Sequence, residues 1–376
     1  MKYDLLIKGG LVIDPSQGLN EVRDVAFADG KVAAIGRLSE NNTSEVIEAT
    51  GLIVTPGLLD LHVHVFPGVS HYGIDADQGN IANGVTTAVD AGSAGALTFP
   101  SFRKHIIETA VTRLYALLNI SSIGMISPKV GELEDIRLAD VEAAVAAGRK
   151  NRDLIVGIKA RLSRQTAGEN DVDALERALE AASALGAFVM IHVGGTQSPM
   201  EKLVNMLRPG DVVTHSYHGN VQGILNDDGR VIEGIKEAQQ KGVIFDVGHG
   251  AGSFSFDVAE RALSEGFDPG NISSDLHVYN IQGPVFDQVT TISKFMWLGM
   301  SLEDVVRLAT ESTAKIIGDH TLGTLKIGSV GDATILRRDE GKFILTDSMG
   351  RTVTANEKLI HVRTIRSGCE YQPGKH

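Results

Sequence analysis

The middle of this sequence alternates short apolar runs with helical patterns, and this alternation constrains the fold more than any other feature. The runs lie at residues 58–64, 86–90, 114–120, 154–159, 188–192, 212–215, 243–246 and 272–275. Strands that are apolar on both faces fit a parallel sheet covered by helices, and strand–helix alternation predicts βα units. We therefore expect an α/β fold in which eight strands close a (β/α)8 TIM barrel.

Both ends of the chain have a different character, because short strand-like runs there are separated by turn residues. Near the start, Asp29-Gly30 between two such runs is a strong hairpin signal. Similar runs occupy residues 333–336, 343–346, 352–354 and 359–365. We expect residues 1–55 together with 322–376 to form one small composite β-sandwich, and residues 56–321 to form the barrel.

Composition and charge exclude several classes of protein. The net charge is −12, and an acidic surface argues against binding to nucleic acid or to anionic membranes. The single cysteine, Cys369, excludes an intrachain disulfide framework. No signal peptide or membrane-spanning run is visible, so a cytoplasmic location is expected. A small-molecule substrate is the expected partner, and the oligomeric state stays open, with a homo-oligomer as one expectation.

The first strand of the barrel ends in a pair of histidines. His62 and His64 are two residues apart, so their side chains point to the same face of the strand. Catalytic residues of such barrels lie at the carboxyl ends of the strands, and two imidazoles placed there can bind one metal ion. The alternative is a pair of buried histidines that only donate and accept structural hydrogen bonds.

The fourth strand ends in Lys159. A lysine in an apolar strand is costly unless its charge is matched or removed. Burial favours the neutral amine, which can react with CO2 to give a carbamate whose two oxygens can bridge two metals. The alternative is a lysine that reaches solvent or pairs with an acid.

Three further strands end in possible ligands, namely His192, His215 and Asp275. Each of them alone has a structural explanation. Together with the histidine pair and the lysine they form an ordered set at strand ends, which chance placement does not explain. Imidazoles and carboxylates favour zinc, with manganese or iron as alternatives.

At this point the chain resembles the amidohydrolase superfamily, in its binuclear form with a carboxylated lysine. The first barrel strand and the return to the terminal β-domain carry the likeness, at residues 54–64 and 328–333. Three segments resemble a dihydroorotase-related branch that includes deacetylases of acetylated small carboxylic acids, at residues 157–161, 192–195 and 246–250. One departure is that no arginine closely follows His64, where many dihydroorotase-type enzymes hold the substrate carboxylate.

The resemblance implies two divalent metal ions, with zinc expected, and a hydroxide between them that attacks the substrate. It also implies that Asp275 takes the proton of the attacking group and passes it to the leaving group. The implied ligands are His62, His64 and Asp275 on the first metal, His192 and His215 on the second, and carboxylated Lys159 between them.

Candidate substrate contacts follow from position. Gly194 and Gly195 leave bare backbone beside a ligand strand, although a tight loop explains them equally well. His249 is a candidate to bind a substrate carboxylate or a developing oxyanion, with a loop hydrogen bond as the alternative. Arg161 is a candidate to bind a carboxylate or to polarise a carbonyl, with a surface salt bridge as the alternative. Tyr72 lies in the first long βα loop, from which its side chain can reach the pocket.

The function expected from these residues is hydrolysis of an amide or ester bond. The leading hypothesis is a deacetylase acting on an N-acetyl amino acid or an O-acetyl 2-hydroxy acid. A cyclic amidohydrolase of the dihydroorotase type and a purine-type deaminase are the enzymatic alternatives. A ligand-binding homologue without catalysis is the alternative from another class, and the complete set of six ligands argues against it.

Overall fold

A computed structural model describes residues 2–374, and their strands divide between two sheets. The strands are β1 (Tyr3–Asp14), β2 (Leu19–Ala28), β3 (Lys31–Gly36), β4 (Thr43–Glu48), β5 (Ile53–Pro56), β6 (Leu58–Val63), β7 (Val85–Gly95), β8 (Arg113–Asn119), β9 (Ile155–Arg161), β10 (Phe188–His192), β11 (Val212–Thr214), β12 (Ile244–Phe245), β13 (Ala333–Thr346), β14 (Thr352–Arg366) and β15 (Cys369–Glu370). The helices are α1 (Ala76–Gly79), α2 (Phe99–Phe102), α3 (Val141–Lys150), α4 (Arg164–Ala167), α5 (Asp171–Leu185), α6 (Met200–Val204), α7 (Glu233–Gln240), α8 (Phe256–Ser264), α9 (Gln288–Trp297), α10 (Leu302–Leu308) and α11 (Glu311–Ile317).

The central sheet is parallel and contains seven strands in the order β12-β11-β10-β9-β8-β7-β6. Each strand pairs with the next one along the chain, as a series of βα units requires. Seven of the eight predicted runs are therefore strands. Because all seven strands are parallel, their carboxyl ends meet at one edge of the sheet.

The eighth predicted strand, at residues 272–275, does not form a ladder. This segment lies between the two edges of the sheet and makes single parallel bridges, from Asn271 to Asp246 and from Leu276 to Val63. Asp275 has a φ of 50°, which lies in the left-handed region and interrupts an extended strand. The prediction of a regular eighth strand was wrong for this reason, although the segment occupies the expected place.

The second sheet joins both ends of the chain. Its eight strands run in the order β15-β14-β13-β5-β1-β2-β3, with β4 paired to β1. The short strand β5 pairs with β1 on one side and with β13 on the other, so the two terminal regions share one ladder. The ladders form one continuous sheet, whereas the predicted sandwich implies two. A separate apolar core lies under it and includes Val12, Phe27 and Ile335.

Packing of the helices against the central sheet fixes the strand ends in place. Helix α5 lies against β9 and β10 and buries Ala174, Ala178 and Ala181 completely. Alanines let the helix approach the sheet closely without loss of side-chain entropy. Among residues 2–374, no helix combines the length and the apolar character needed to cross a bilayer.

Candidate metal centre

The edge where the parallel strands end gathers the six predicted metal ligands around one small space. His62 comes from β6, His64 directly follows it, Lys159 comes from β9 and His192 from β10. His215 follows β11, and Asp275 lies in the segment that takes the place of the eighth strand. All six line the same space, together with Tyr72, Met125 and Arg161.

The six side chains lie close to one another. The Oδ1 atom of Asp275 lies 3.3 Å from Nε2 of His62 and 3.2 Å from Nε2 of His64. The Nζ atom of Lys159 lies 3.5 Å from Nε2 of His62, and the rings of His192 and His215 are 4.4 Å apart. One ligand atom from each of His62, His215 and Asp275 lies within 4.8 Å of the other two.

Hydrogen bonds on the outer side of the rings set which nitrogen carries the proton. The Nδ1 atom of His62 lies 2.9 Å from Oγ1 of Thr214, whose hydroxyl donates to Asp246 over 2.7 Å. The Thr214 oxygen therefore accepts from Nδ1 of His62. The Nδ1 atom of His215 donates to the carbonyl of Gly248 over 2.6 Å. In both rings the Nε2 lone pair faces the centre, as metal-binding histidines require.

Burial keeps these groups uncharged. It lowers the pKa of His64 and of His215 to about 3, and that of His62 and His192 well below the usual value. Burial also lowers the pKa of Lys159 to about 7. Neutral histidines and an amine that gives up its proton near neutral pH form a donor set suited to a cation.

The carboxylate of Asp275 shows directly that the donor set fits a cation. Its Oδ1 atom is buried, and none of the residues described donates a hydrogen bond to it. Instead it lies 3.3 Å from Nε2 of His62, whose lone pair faces it, and 3.2 Å from Nε2 of His64. A divalent metal ion would satisfy this buried carboxylate oxygen and bind imidazole nitrogens as well, so the residues present fit a metal ion.

A cavity of about 760 Å³ opens over this centre. Four of the five predicted substrate contacts line it: Tyr72, Arg161, Gly194 and Gly195. The two glycines have φ values of 122° and 65°, so the loop conformation itself favours glycine. His277, which shares a face with Asp275 in the sequence pattern, also lies on the wall.

Arg161 is held against the cavity wall by an acid. Its Nε atom lies 3.3 Å from Oε1 of Glu132, and its guanidinium carbon lies 5.4 Å from the centre of the Tyr72 ring. Glu132 is almost fully buried, and burial raises the pKa of its carboxyl group, although the charge of Arg161 opposes this. The two atoms are close enough for an ion pair but do not form a hydrogen bond, and the guanidinium lies beside both the cavity and the ligand cluster.

His249, the fifth predicted contact, does not line the cavity. It is fully buried and accepts a hydrogen bond at Nε2 from Nζ of Lys294 over 2.7 Å. Its Nδ1 donates to the carbonyl of Gly250 over 3.0 Å, and its ring stacks on Phe254. Both ring nitrogens are thus used within the protein, and His249 stabilises its loop in place of binding substrate.

Five residues that contact the candidate site residues were not identified from the sequence: Ser93, Glu132, Thr214, Asp246 and Lys294. Ser93 bonds to Nδ1 of His64 over 2.9 Å. Thr214 and Asp246 stand at the ends of predicted strands, a position that signals a role near the centre. Glu132 and Lys294 give no such signal, because their partners are distant in sequence.

Replacing Thr214 with valine tests the outer hydrogen bonds. Valine keeps the shape but removes the oxygen that accepts from His62, so the ring loses its fixed tautomer. We expect metal affinity to fall by roughly 10–100-fold, the usual effect of removing an outer partner of a metal-binding histidine. Zinc competition titration measures this, and equal affinity in both proteins would contradict it. Thermal unfolding of the metal-free proteins controls for a folding defect.

Comparisons with known proteins agree with this geometry. A model of the amidohydrolase family matches residues 53–360. A deacetylase from Brucella anthropi is 36% identical, over 91% of this chain and 85% of that protein. A deacetylase from Enterococcus faecalis is 34% identical, over 99% of this chain and all of that protein (100%).

Two solved structures superpose on this chain over nearly its whole length. An adenine deaminase superposes with a TM-score of 0.92 at 33% identity, covering 99% of this chain and 100% of that one. A dihydroorotase superposes with a TM-score of 0.91 at 31% identity, covering 98% of each chain. The likeness thus extends over both sheets.

Proposed function

Because the chain belongs to the amidohydrolase family and is a hydrolase, we propose that it is a metal-dependent deacetylase of acetylated small carboxylic acids. The substrate is an N-acetyl amino acid or an O-acetyl 2-hydroxy acid. The single observation that carries the proposal is the convergence of six ligand side chains beneath a cavity whose wall holds Arg161. The two relatives named as deacetylases, matched over most of their length, support the choice of reaction.

The same proposal assigns two divalent metal ions to the centre, with zinc as the expected metal. Bound divalent cations lower the pKa of water toward neutrality and polarise a carbonyl group. His62, His64 and Asp275 would hold one ion and His192 and His215 the other. A carbamate formed from CO2 on Lys159 would hold both.

Asp275 moves the proton in the proposed reaction. Water adds to the acetyl carbonyl carbon, and the carboxylate of Asp275 takes its proton. The carboxyl group then gives the proton to the leaving nitrogen or oxygen as the C–N or C–O bond breaks. The products are acetate and the free amino or hydroxy acid.

Arg161 is proposed to bind the substrate carboxylate, because a guanidinium can donate two parallel hydrogen bonds to it. Replacing Arg161 with methionine should raise KM for N-acetyl amino acids by roughly 10–100-fold, the loss of a charge-assisted contact. KM for the neutral ester p-nitrophenyl acetate should change little, since this substrate has no carboxylate. Steady-state kinetics on both substrates measures the contrast.

A matched control for this variant is Arg137→Met, because Arg137 is an exposed arginine that pairs with Asp135. It should leave both substrates unaffected. An equal loss on the charged and the neutral substrate in Arg161→Met would contradict carboxylate binding.

Two other hydrolytic functions are favoured by the solved structures, namely cyclic amide hydrolysis and purine-type deamination. A zinc-loaded preparation should be screened against N-acetyl amino acids, O-acetyl hydroxy acids, dihydroorotate and adenine. We expect turnover of the acetylated acids. Turnover of dihydroorotate or adenine alone would show that the site catalyses one of those reactions instead. A protein that binds no zinc and turns over none of these compounds would favour the ligand-binding role.

For the fold, we propose that residues 271–276 complete a (β/α)8 barrel of residues 56–321. Residues 1–55 and 322–376 then form the composite β-domain. The bridges of residues 271–276 to both edges of the parallel sheet support this closure.

A further inference from the structure

We propose that the terminal sheet takes part in the active site, through the turn between β13 and β14. This turn, residues 347–350, is called the hairpin turn below. It holds the wall loop, residues 249–255, part of which lines the cavity above the metal centre. We infer that Asp347 and Ser348 are positioning residues for the reaction; the kinetic part of this inference rests on the proposed function.

Hydrogen bonds join the hairpin turn to the wall loop and to Phe256, the residue that follows it. The Oδ2 atom of Asp347 accepts from the amide of Phe256, the first residue of α8, over 2.9 Å. The amide of Ser348 donates to the carbonyl of Phe254 over 3.0 Å, and its hydroxyl donates to the carbonyl of Gly250 over 2.8 Å. The contacts therefore reach both ends of the loop.

The wall loop has few bonds of its own between these ends. Within residues 2–374, no backbone hydrogen bond is donated by residues 251–254, and Ala251 and Gly252 are exposed. Ser255 is tied to the carbonyl of Tyr217, which secures only the end next to α8. A cavity wall with so few internal bonds takes its shape from what it packs against. Lys294 bonds to His249 and Phe295 packs against Phe254, and the hairpin turn supplies the further contacts described above.

The start of the wall loop touches the proposed proton carrier. The amide of Gly250 donates to the carbonyl of Ser274 over 3.0 Å. A Cβ added to Gly250 would lie 2.5 Å from Oδ2 of Asp275, so backbone and carboxyl group are in close contact. Any shift of Gly250 therefore changes the surroundings of the Asp275 carboxylate, and small displacements near reacting groups cost a great deal of rate.

Variants of the hairpin turn can separate the bonds that hold the turn itself from the bonds that it makes to the wall loop and α8. Its Oδ1 accepts from the amides of Met349 and Arg351, over 2.9 and 2.8 Å, and these bonds hold the turn itself. Only Oδ2 reaches Phe256, where the wall loop ends and α8 begins. Asp347→Asn keeps the size and one acceptor oxygen for the turn, but presents an NH2 group to the amide of Phe256. Ser348→Ala removes the hydroxyl's bonds to the carbonyls of His249 and Gly250 and leaves the turn's own bonds intact.

The test compares Asp347→Asn and Ser348→Ala with the zinc-loaded parent enzyme. Hydrogen–deuterium exchange should become faster in residues 247–257, while exchange in β13 and β14 stays unchanged. With p-nitrophenyl acetate, kcat should fall roughly tenfold and KM should change by less than about twofold, because the loss concerns geometry at the reacting group. Thr354→Ala, an exposed position on β14, is the control and should match the parent in both measurements.

Unchanged exchange in residues 247–257 of both variants would overturn the inference. So would a fall in kcat that comes with faster exchange across the whole terminal sheet, because that pattern means unfolding of the hairpin. If the parent hydrolyses no acetyl compound, the proposed function fails. The local exchange result still decides whether the hairpin turn holds the wall loop.

Discussion

Replacing Asp275 with asparagine should lower kcat by roughly 10²–10⁴-fold, the contribution of a general acid–base group, while most of the metal stays bound. The amide oxygen of asparagine still has lone pairs for a metal ion, and the histidine ligands are untouched. An amide cannot, however, accept a proton from water and return it to the leaving group. This variant should therefore lose most of its turnover while it keeps most of its metal.

The same substitution makes an opposite prediction for the metal-free protein. There Oδ1 of Asp275 lies 3.3 Å from the Nε2 lone pair of His62, and no described residue donates a hydrogen bond to it. The NH2 group of asparagine can donate to that lone pair, and relieving a buried unsatisfied acceptor is worth about 1–3 kcal/mol. The metal-free variant should thus melt at a higher temperature than the metal-free parent.

Metal analysis by mass spectrometry, steady-state kinetics and thermal unfolding in a chelator check these outcomes together. Asp304→Asn is a suitable control, since Asp304 lies on α10 away from the centre and pairs with Arg307. Near-normal turnover of Asp275→Asn would exclude the proton-transfer role. A lower melting temperature without metal would exclude the repulsion between the carboxylate and the His62 lone pair.

The sequence was sufficient to predict that the six candidate ligands lie together, because each stands at the end of an apolar run. Strand alternation places His62 and His64 on one face, and parallel strands bring their carboxyl ends together whatever the length of the helices between them. Position along the strand therefore carries information about position in space. That reasoning needs no knowledge of side-chain contacts, and the ligands indeed line one space.

Other features depend on contacts that a sequence does not display. The left-handed φ of Asp275 breaks the expected eighth strand, although nothing local in the sequence demands it. His249 was assigned to substrate because it ends a run in a glycine-rich turn, but Lys294, 45 residues away along the chain, occupies its ring nitrogen. Glu132 behind Arg161 and the hairpin turn against the wall loop are likewise long-range pairings that only the fold determines.

The second large effect on turnover is expected at Lys159, since the proposed carbamate on this residue would be a ligand of both metal ions. Lys159→Ala should lose bound metal and lower kcat by roughly 10²–10³-fold or more, the scale seen when one preorganised electrostatic group is removed. The side chain is fully buried and close to Gly92, where a Cβ would lie 2.7 Å from the Lys159 Cβ. Truncation to alanine leaves room among the ligands for a small molecule.

That space makes the carbamate testable by rescue. Acetate or propionate supplies two oxygens where the carbamate would stand, and should restore part of the zinc binding and turnover of Lys159→Ala. Acetamide, of nearly the same size but without the charge, should not. For the parent protein, zinc uptake after metal removal should be slow in CO2-free buffer and fast with bicarbonate, because the amine must first react. Normal zinc content and turnover in Lys159→Ala without any added carboxylate would leave no role for a carbamate, and the two ions would then have to be held by the histidines and Asp275 alone.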